Sequence, residues 1–168
     1  TGCSFLATML INGTGVAKDP ARAIALNEKA CAKDISSACN NLGAAYGRGE
    51  GVDKDVTRAF ALYQKACGLE SATSCHNLAV MYSKGEGVAK DMAKSAGYNE
   101  LACAKGNAEA CTDLGRLYEV GQGVKADMKR ANTLYEAGCK GGDGWGCNNI
   151  AISLADGKGV TANRPLAN

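Results

Sequence analysis

Aromatic residues are scarce in this chain: phenylalanine, tryptophan and tyrosine make up 5% of 168 residues, with one Trp and two Phe. A core built on large rings is excluded, and 22 glycines leave each structural unit with small side chains to bury, a thin core that covalent stapling would help. Charge of one sign is missing too. Nineteen basic against seventeen acidic residues give a net charge of +2, too little to favour nucleic acid or an anionic membrane as a partner. No apolar run approaches the roughly 20 residues that cross a bilayer. His76 is the single histidine. A His-Glu-x-x-His helix, a phosphate loop, a Gly-x-Ser-x-Gly elbow and a Ser-x-x-Lys element are all absent, so neither a catalytic residue, a metal site nor a cofactor is expected.

What the chain has in place of these signatures is repetition. The stretch from Ser37 to Ala72 recurs at a period of 36 residues: Leu42 returns as Leu78, Leu114 and Ile150, Tyr46 as Tyr82 and Tyr118, and Asp55 as Asp19, Asp91 and Asp127. The pairs Gly49/Gly51, Gly85/Gly87, Gly121/Gly123 and Gly157/Gly159 keep the same register. A fixed period of this length means stacked supersecondary units. The chain therefore divides as one repeat domain over 1–168: a truncated first repeat 1–36, full repeats 37–72, 73–108 and 109–144, and a truncated last repeat 145–168. Gly-x-Gly turns that recur in every unit, with no strand before them, are structural and not dinucleotide-binding. With no signal peptide and with both ends falling inside a repeat, a piece of a longer array is expected.

Nine cysteines follow the same rhythm. Cys31/Cys39, Cys67/Cys75, Cys103/Cys111 and Cys139/Cys147 are each eight apart, while the counterpart of Cys3 would precede residue 1. Four disulfides with one orphan is the favoured reading, and it places the chain in an oxidising compartment, secreted or periplasmic. Metal ligation is the sharper alternative, disfavoured because ligand pairs usually sit about two to five residues apart. Reduced, buried thiols are a third possibility. Thr1-Gly2-Cys3 has the look of a lipid-attachment site, but the register makes Cys3 an ordinary repeat cysteine.

Within each unit, Cys39, Leu42 and Tyr46 lie at helical spacing, as do Ala59, Leu62, Tyr63 and Ala66, which predicts two short amphipathic helices, A then B. Gly49 can close helix A in the left-handed conformation, Val52 folds back on the core, and Asp55 can cap helix B. Ser71, Asn107 and Asp143 lead in successive A helices; the first unit has Ile35 there, so Asp34 or Ser36 is expected to substitute. A column of small residues, Ala7, Gly43, Ala79, Gly115 and Ala151, lets A and B approach closely. Asn27 and Asn99 stand where Tyr63 is expected, weakening the packing locally. Each disulfide would clamp one repeat to the next, worth roughly 2 to 3 kcal/mol in the chain-entropy model.

The pattern Leu42-Gly43-x-x-Tyr46-x-x-Gly49-x-Gly51-Val52-x-x-Asp55-x-x-x-Ala59-x-x-x-Tyr63-x-x-Ala66 resembles the Sel-1-like repeat, a relative of the tetratricopeptide repeat. The cysteine spacing is similar to that of the Helicobacter cysteine-rich protein family. The resemblance implies an all-α fold, a right-handed α/α superhelix of antiparallel helix pairs whose A helices line a concave groove. Counted on that scheme, the groove holds Asn40, Asn41, Ala44 and Arg48; His76, Asn77, Val80 and Lys84; Thr112, Asp113, Arg116 and Val120; and Trp145, Asn148, Asn149 and Ile152. Asn41, Asn77 and Asn149 form a column, broken by Asp113, whose amides can grip an extended peptide backbone or else bond the neighbouring helix. Arg48, Lys84 and Arg116 give a basic rim for a ligand carboxylate, against the plainer reading of solvated charge. Trp145 can anchor a partner or pack over the exposed end, the second being favoured, and His76 is expected to sit on the surface.

The function that follows is a monomeric, exported bacterial adaptor that binds a protein or peptide without turnover. Two alternatives remain: a weak penicillin-binding or β-lactamase-like protein, which the resemblance alone suggests, and a structural spacer in an envelope assembly.

Overall fold

A computed structural model describes residues 2–159. The readings placed on the side chain of Cys3 and on a closing helix over 163–167 lie outside the described residues. Nine α-helices and no strand occur among the described residues: α1 (Gly2–Asn12), α2 (Pro20–Cys31), α3 (Ser36–Arg48), α4 (Val56–Gly68), α5 (Ala72–Lys84), α6 (Met92–Ala104), α7 (Ala108–Val120), α8 (Met128–Lys140) and α9 (Gly144–Asp156). Each packs on its neighbours in sequence, so the array is the predicted solenoid, with α1, α3, α5, α7 and α9 as A helices and α2, α4, α6 and α8 as B helices.

The helix boundaries follow local chemistry. Gly49, Gly85, Gly121 and Gly157 end the A helices with φ between 67 and 76°, a region where a β-carbon is costly. Asp19, Asp55, Asp91 and Asp127 each accept a hydrogen bond of 2.8 to 3.0 Å from the backbone N–H three residues on, capping the B helices. Ser71, Asn107 and Asp143 cap α5, α7 and α9 through their side chains. The expectation for α3 does not hold: its N-cap is Ile35, which gives no side-chain bond, while Asp34 adopts a left-handed φ of 59° and pairs with Lys65 at 2.8 Å.

Sulfur joins every B helix to the A helix that follows. Cys31–Cys39, Cys67–Cys75, Cys103–Cys111 and Cys139–Cys147 are disulfide-bonded, with Cα atoms 4.4 to 4.8 Å apart, well inside the range a disulfide spans. Between them, Leu42, Tyr46, Tyr63, Leu78 and Met81 form the largest apolar cluster, and Val52 and Val88 fold onto it from the turns. A further column was not foreseen from sequence. Arg58, Lys94 and Arg130 lie 4.2, 5.4 and 4.6 Å over the rings of Tyr46, Tyr82 and Tyr118, so each of α4, α6 and α8 lays a cation over the aromatic of its own A helix.

Candidate functional site

Among the described residues, four open cavities lie along the face made by the A helices, one of them, of about 470 Å³, bordered by Arg116, Glu119, Val120 and Asn149. A second, of about 600 Å³, is walled by His76 of α5, Glu109, Asp113 and Arg116 of α7, and Trp145 and Asn149 of α9. A third, of about 330 Å³, is bordered by Ala44, Arg48, Tyr63, Asn77 and Val80. The fourth, of about 250 Å³, is the same place one repeat later, with Val80, Lys84, Asn99, Asp113 and Arg116 at the matching positions. Residues four apart on a helix share a face, which brings Ala44 with Arg48 and Val80 with Lys84 to these walls.

Two predicted polar columns are partly spoken for. Asn77 Nδ2 donates to Asn40 Oδ1 at 3.3 Å, and Ser74 Oγ lies 2.9 Å from that same oxygen, so Asn40 and Asn77 are tied across adjacent A helices. Asn41 is half-buried, and Asn149 borders the largest cavity. On the basic rim, Arg48 makes two hydrogen bonds to Glu50, at 2.8 and 3.0 Å. This pairing raises the Arg48 guanidinium and lowers the Glu50 carboxyl from their ordinary ranges, chiefly through the side-chain hydrogen bond. Arg116 donates to Asp113 at 3.1 Å. Lys84 has no carboxylate within ion-pair distance among the described residues, leaving it the cation of that rim best placed to meet a ligand.

His76 is not a surface histidine. Its side chain is 12% exposed, with Nε2 at 3.1 Å from Asp113 and Nδ1 at 3.7 Å from Glu109. Nε2 is engaged by Asp113 while Nδ1 faces Glu109 beyond hydrogen-bond reach, and the neighbouring Thr112 turns its hydroxyl to the Ala108 carbonyl. Trp145 departs from expectation as well: it is 73% exposed and does not pack over the end of the array. Sequence had no means to tell these outcomes apart, because each depends on what stands opposite across a repeat boundary. Among the described residues no group of His, Cys, Asp and Glu could hold a metal ion, and no helix is long and apolar enough to cross a membrane.

The Sel1 repeat model matches residues 1–35, 36–71, 72–107 and 108–143. No curated protein matches the chain. Among solved structures, a Sel1 repeat protein from Oxalobacter formigenes is 28% identical, with a TM-score of 0.92 over 98% of this chain and 67% of its own. A protective antigen of uropathogenic Escherichia coli with the same repeat fold is 27% identical, with a TM-score of 0.92 over 98% of this chain, which spans only 35% of that protein. Helicobacter pylori cysteine rich protein B is 30% identical, with a TM-score of 0.64 over 79% of this chain and 95% of its own.

Proposed function

The chain belongs to the Sel1 repeat family, whose members are generally protein-interaction scaffolds, and from that premise we propose that it is a non-catalytic, exported protein that binds a protein or extended peptide along its A-helix groove. The observation that carries this reading is Trp145. A large ring 73% exposed beside a cavity of about 600 Å³, with Asp113, Asp143 and Glu109 around it, is the kind of anchor that partner surfaces bury. His76 fixed between carboxylates supports recognition over turnover. Export is supported by the four disulfides, which persist in an oxidising compartment.

Peptides selected from a displayed random library on the oxidised chain supply the test. Titration calorimetry of the best binder against a chain carrying Asn41→Ala, Asn77→Ala and Asn149→Ala, and separately against Trp145→Ala, should show at least tenfold weaker binding in each. Affinity unchanged by both would remove the groove from consideration.

A further inference from the structure

Carboxylates gather at one boundary of the groove, at positions where the other repeats carry neutral residues. Glu109 stands where the preceding repeats have Ser37 and Thr73, Asp113 where the others have Asn41, Asn77 and Asn149, and Asp143 where they have Ile35, Ser71 and Asn107. Trp145 continues the column of Ser37, Thr73 and Glu109 and gives it a ring. All four side chains border the cavity of about 600 Å³ between α5, α7 and α9. Four departures from the repeat pattern, distant in sequence, thus meet in one accessible space.

The charge there is not balanced within the protein. Arg116 and His76 both turn to Asp113, at 3.1 Å each. Glu109 faces the His76 ring at 3.7 Å with its side chain 74% exposed, and Asp143 accepts from the Trp145 backbone N–H at 3.2 Å. Neither has a lysine or arginine within ion-pair distance among the described residues. Three carboxylates against one guanidinium leave the cavity net negative whichever form His76 takes. Beside them the Trp145 ring is 73% exposed, and an aromatic face attracts a cation. Tyr46, Tyr82 and Tyr118 receive that cation from the fold itself; Trp145 receives none among the described residues.

We propose that this cavity takes an arginine side chain of a groove-bound peptide, its guanidinium lying on Trp145 and paired with Glu109 and Asp143. The assignment rests on the groove reading above and names the side chain read at the boundary of α7 and α9. Guanidinium is favoured over ammonium by its shape: it is planar and weakly hydrated, so it stacks on a ring while its N–H edge reaches carboxylates. The fold's own guanidiniums, at 4.2 and 4.6 Å, also sit nearer their rings than its lysine does, at 5.4 Å.

Trp145 is the single tryptophan, so its emission, excited where tyrosine does not absorb, reports this cavity. The probes are acetyl-Gly-Gly-Arg-Gly-Gly-amide and its lysine and citrulline counterparts, citrulline being neutral and close to arginine in shape, on the full, oxidised chain. The arginine peptide should change the emission saturably and less tightly as salt rises, with citrulline at least tenfold and lysine at least threefold weaker. Glu109→Gln with Asp143→Asn should weaken the arginine peptide at least tenfold; Asn107 already caps α7 in this way, so the start of α9 is kept, and circular dichroism checks it. In Trp145→Thr, which installs the residue found at Thr73, the shift of the Asn149 side-chain amide by NMR should show the same loss. No saturable change, an equal response to citrulline, or an undiminished response in the charge-neutralised chain overturns the subsite, and an equal response to lysine overturns its choice of guanidinium. A library-selected peptide that lacks arginine, depends on Asn41, Asn77 and Asn149, and binds the charge-neutralised chain as it binds the parent overturns the subsite and leaves the groove reading standing. Arginine binding here in a chain for which no selected peptide depends on those asparagines overturns the groove reading alone.

Discussion

Tyr135 and Gly115 fit because one lacks what the other requires: a β-carbon on Gly115 would lie 2.7 Å from the Tyr135 ring, and the same matching at Tyr63 and Gly43, at 2.9 Å, makes these contacts conditional on both partners. Gly115→Ala alone should destabilise by about 1 to 3 kcal/mol, since the added methyl must displace a ring held on all sides. Combined with Tyr135→Asn, which recreates the pairs Ala7 with Asn27 and Ala79 with Asn99 of other repeats, its cost should fall below the sum of the single changes by at least about 1 kcal/mol, read from urea melts of the four chains in the cycle. Simple additivity would show that the pairing is incidental. Asn27 is the opposite case, a fully buried amide with neither atom partnered among the described residues. Asn27→Leu should raise stability by about 1 to 2 kcal/mol in the same assay, and a loss would mean that the amide is satisfied by a group bound within the fold. The small-residue column and the two asparagines are both visible in the sequence. Their correlation is not legible until it is known which face of B meets which face of A.

Single elements here are short, 11 to 13 residues each, and helices of that length are marginal on their own. Caps, cation-covered tyrosines and disulfides therefore decide whether a hairpin persists. Their legibility differs with the range of each interaction. The aspartate caps and closing glycines act within a few residues and could be read directly; the eight-residue cysteine spacing also predicted its pairing. The cation column at Arg58, Lys94 and Arg130 spans two helices and was missed, although its 36-residue recurrence was there to be noticed. Ile35 shows that even a local expectation can fail: the sulfur of Cys31–Cys39, four residues to either side, and the Asp34 pair with Lys65 hold that turn without a side-chain cap. Replacing Cys67 and Cys75 with alanine should lower stability by about 2 to 3 kcal/mol, the closure entropy of so short a loop. Because each repeat touches only its neighbours, hydrogen exchange should quicken in α4 and α5 far more than in α8. Uniform quickening along the chain would mean that the array unfolds as one block.

For the molecule as a whole, the period made the solenoid legible, whereas the groove-facing positions were implied by the resemblance to the tetratricopeptide-like scheme and not by the period itself. The groove's chemistry was less legible: Arg48 and Arg116 spend bonding capacity on carboxylates of their own repeat, and Asn40, Asn77 and His76 on neighbours across a repeat boundary. Burial and contacts within single repeats set how the fold responds to pH. On the acid side, the Glu50 carboxyl is lowered by the Arg48 hydrogen bond and Asp91 by the Lys94 backbone N–H, so their stabilisation is whole above the ordinary carboxylate range and fades as pH falls through the depressed values. Both are exposed, and the effect is small. The alkaline side carries more. Burial raises the Tyr63 phenol, and burial with the Glu119 hydrogen bond and charge raises that of Tyr135 further. The folded chain thus keeps protons that an unfolded tyrosine releases near a pH of about 10. Stability from these groups is fully present below that value and is lost as pH climbs through the higher folded values. Absorbance at the tyrosinate band and helical circular dichroism, followed together in an alkaline titration, should show these two phenols ionising only as helix is lost. Tyr135→Phe should move the loss of helix to higher pH while weakening the fold at neutrality, through the missing bond to Glu119. Ionisation of every tyrosine ahead of any loss of helix would show that neither phenol is shielded as its packing requires.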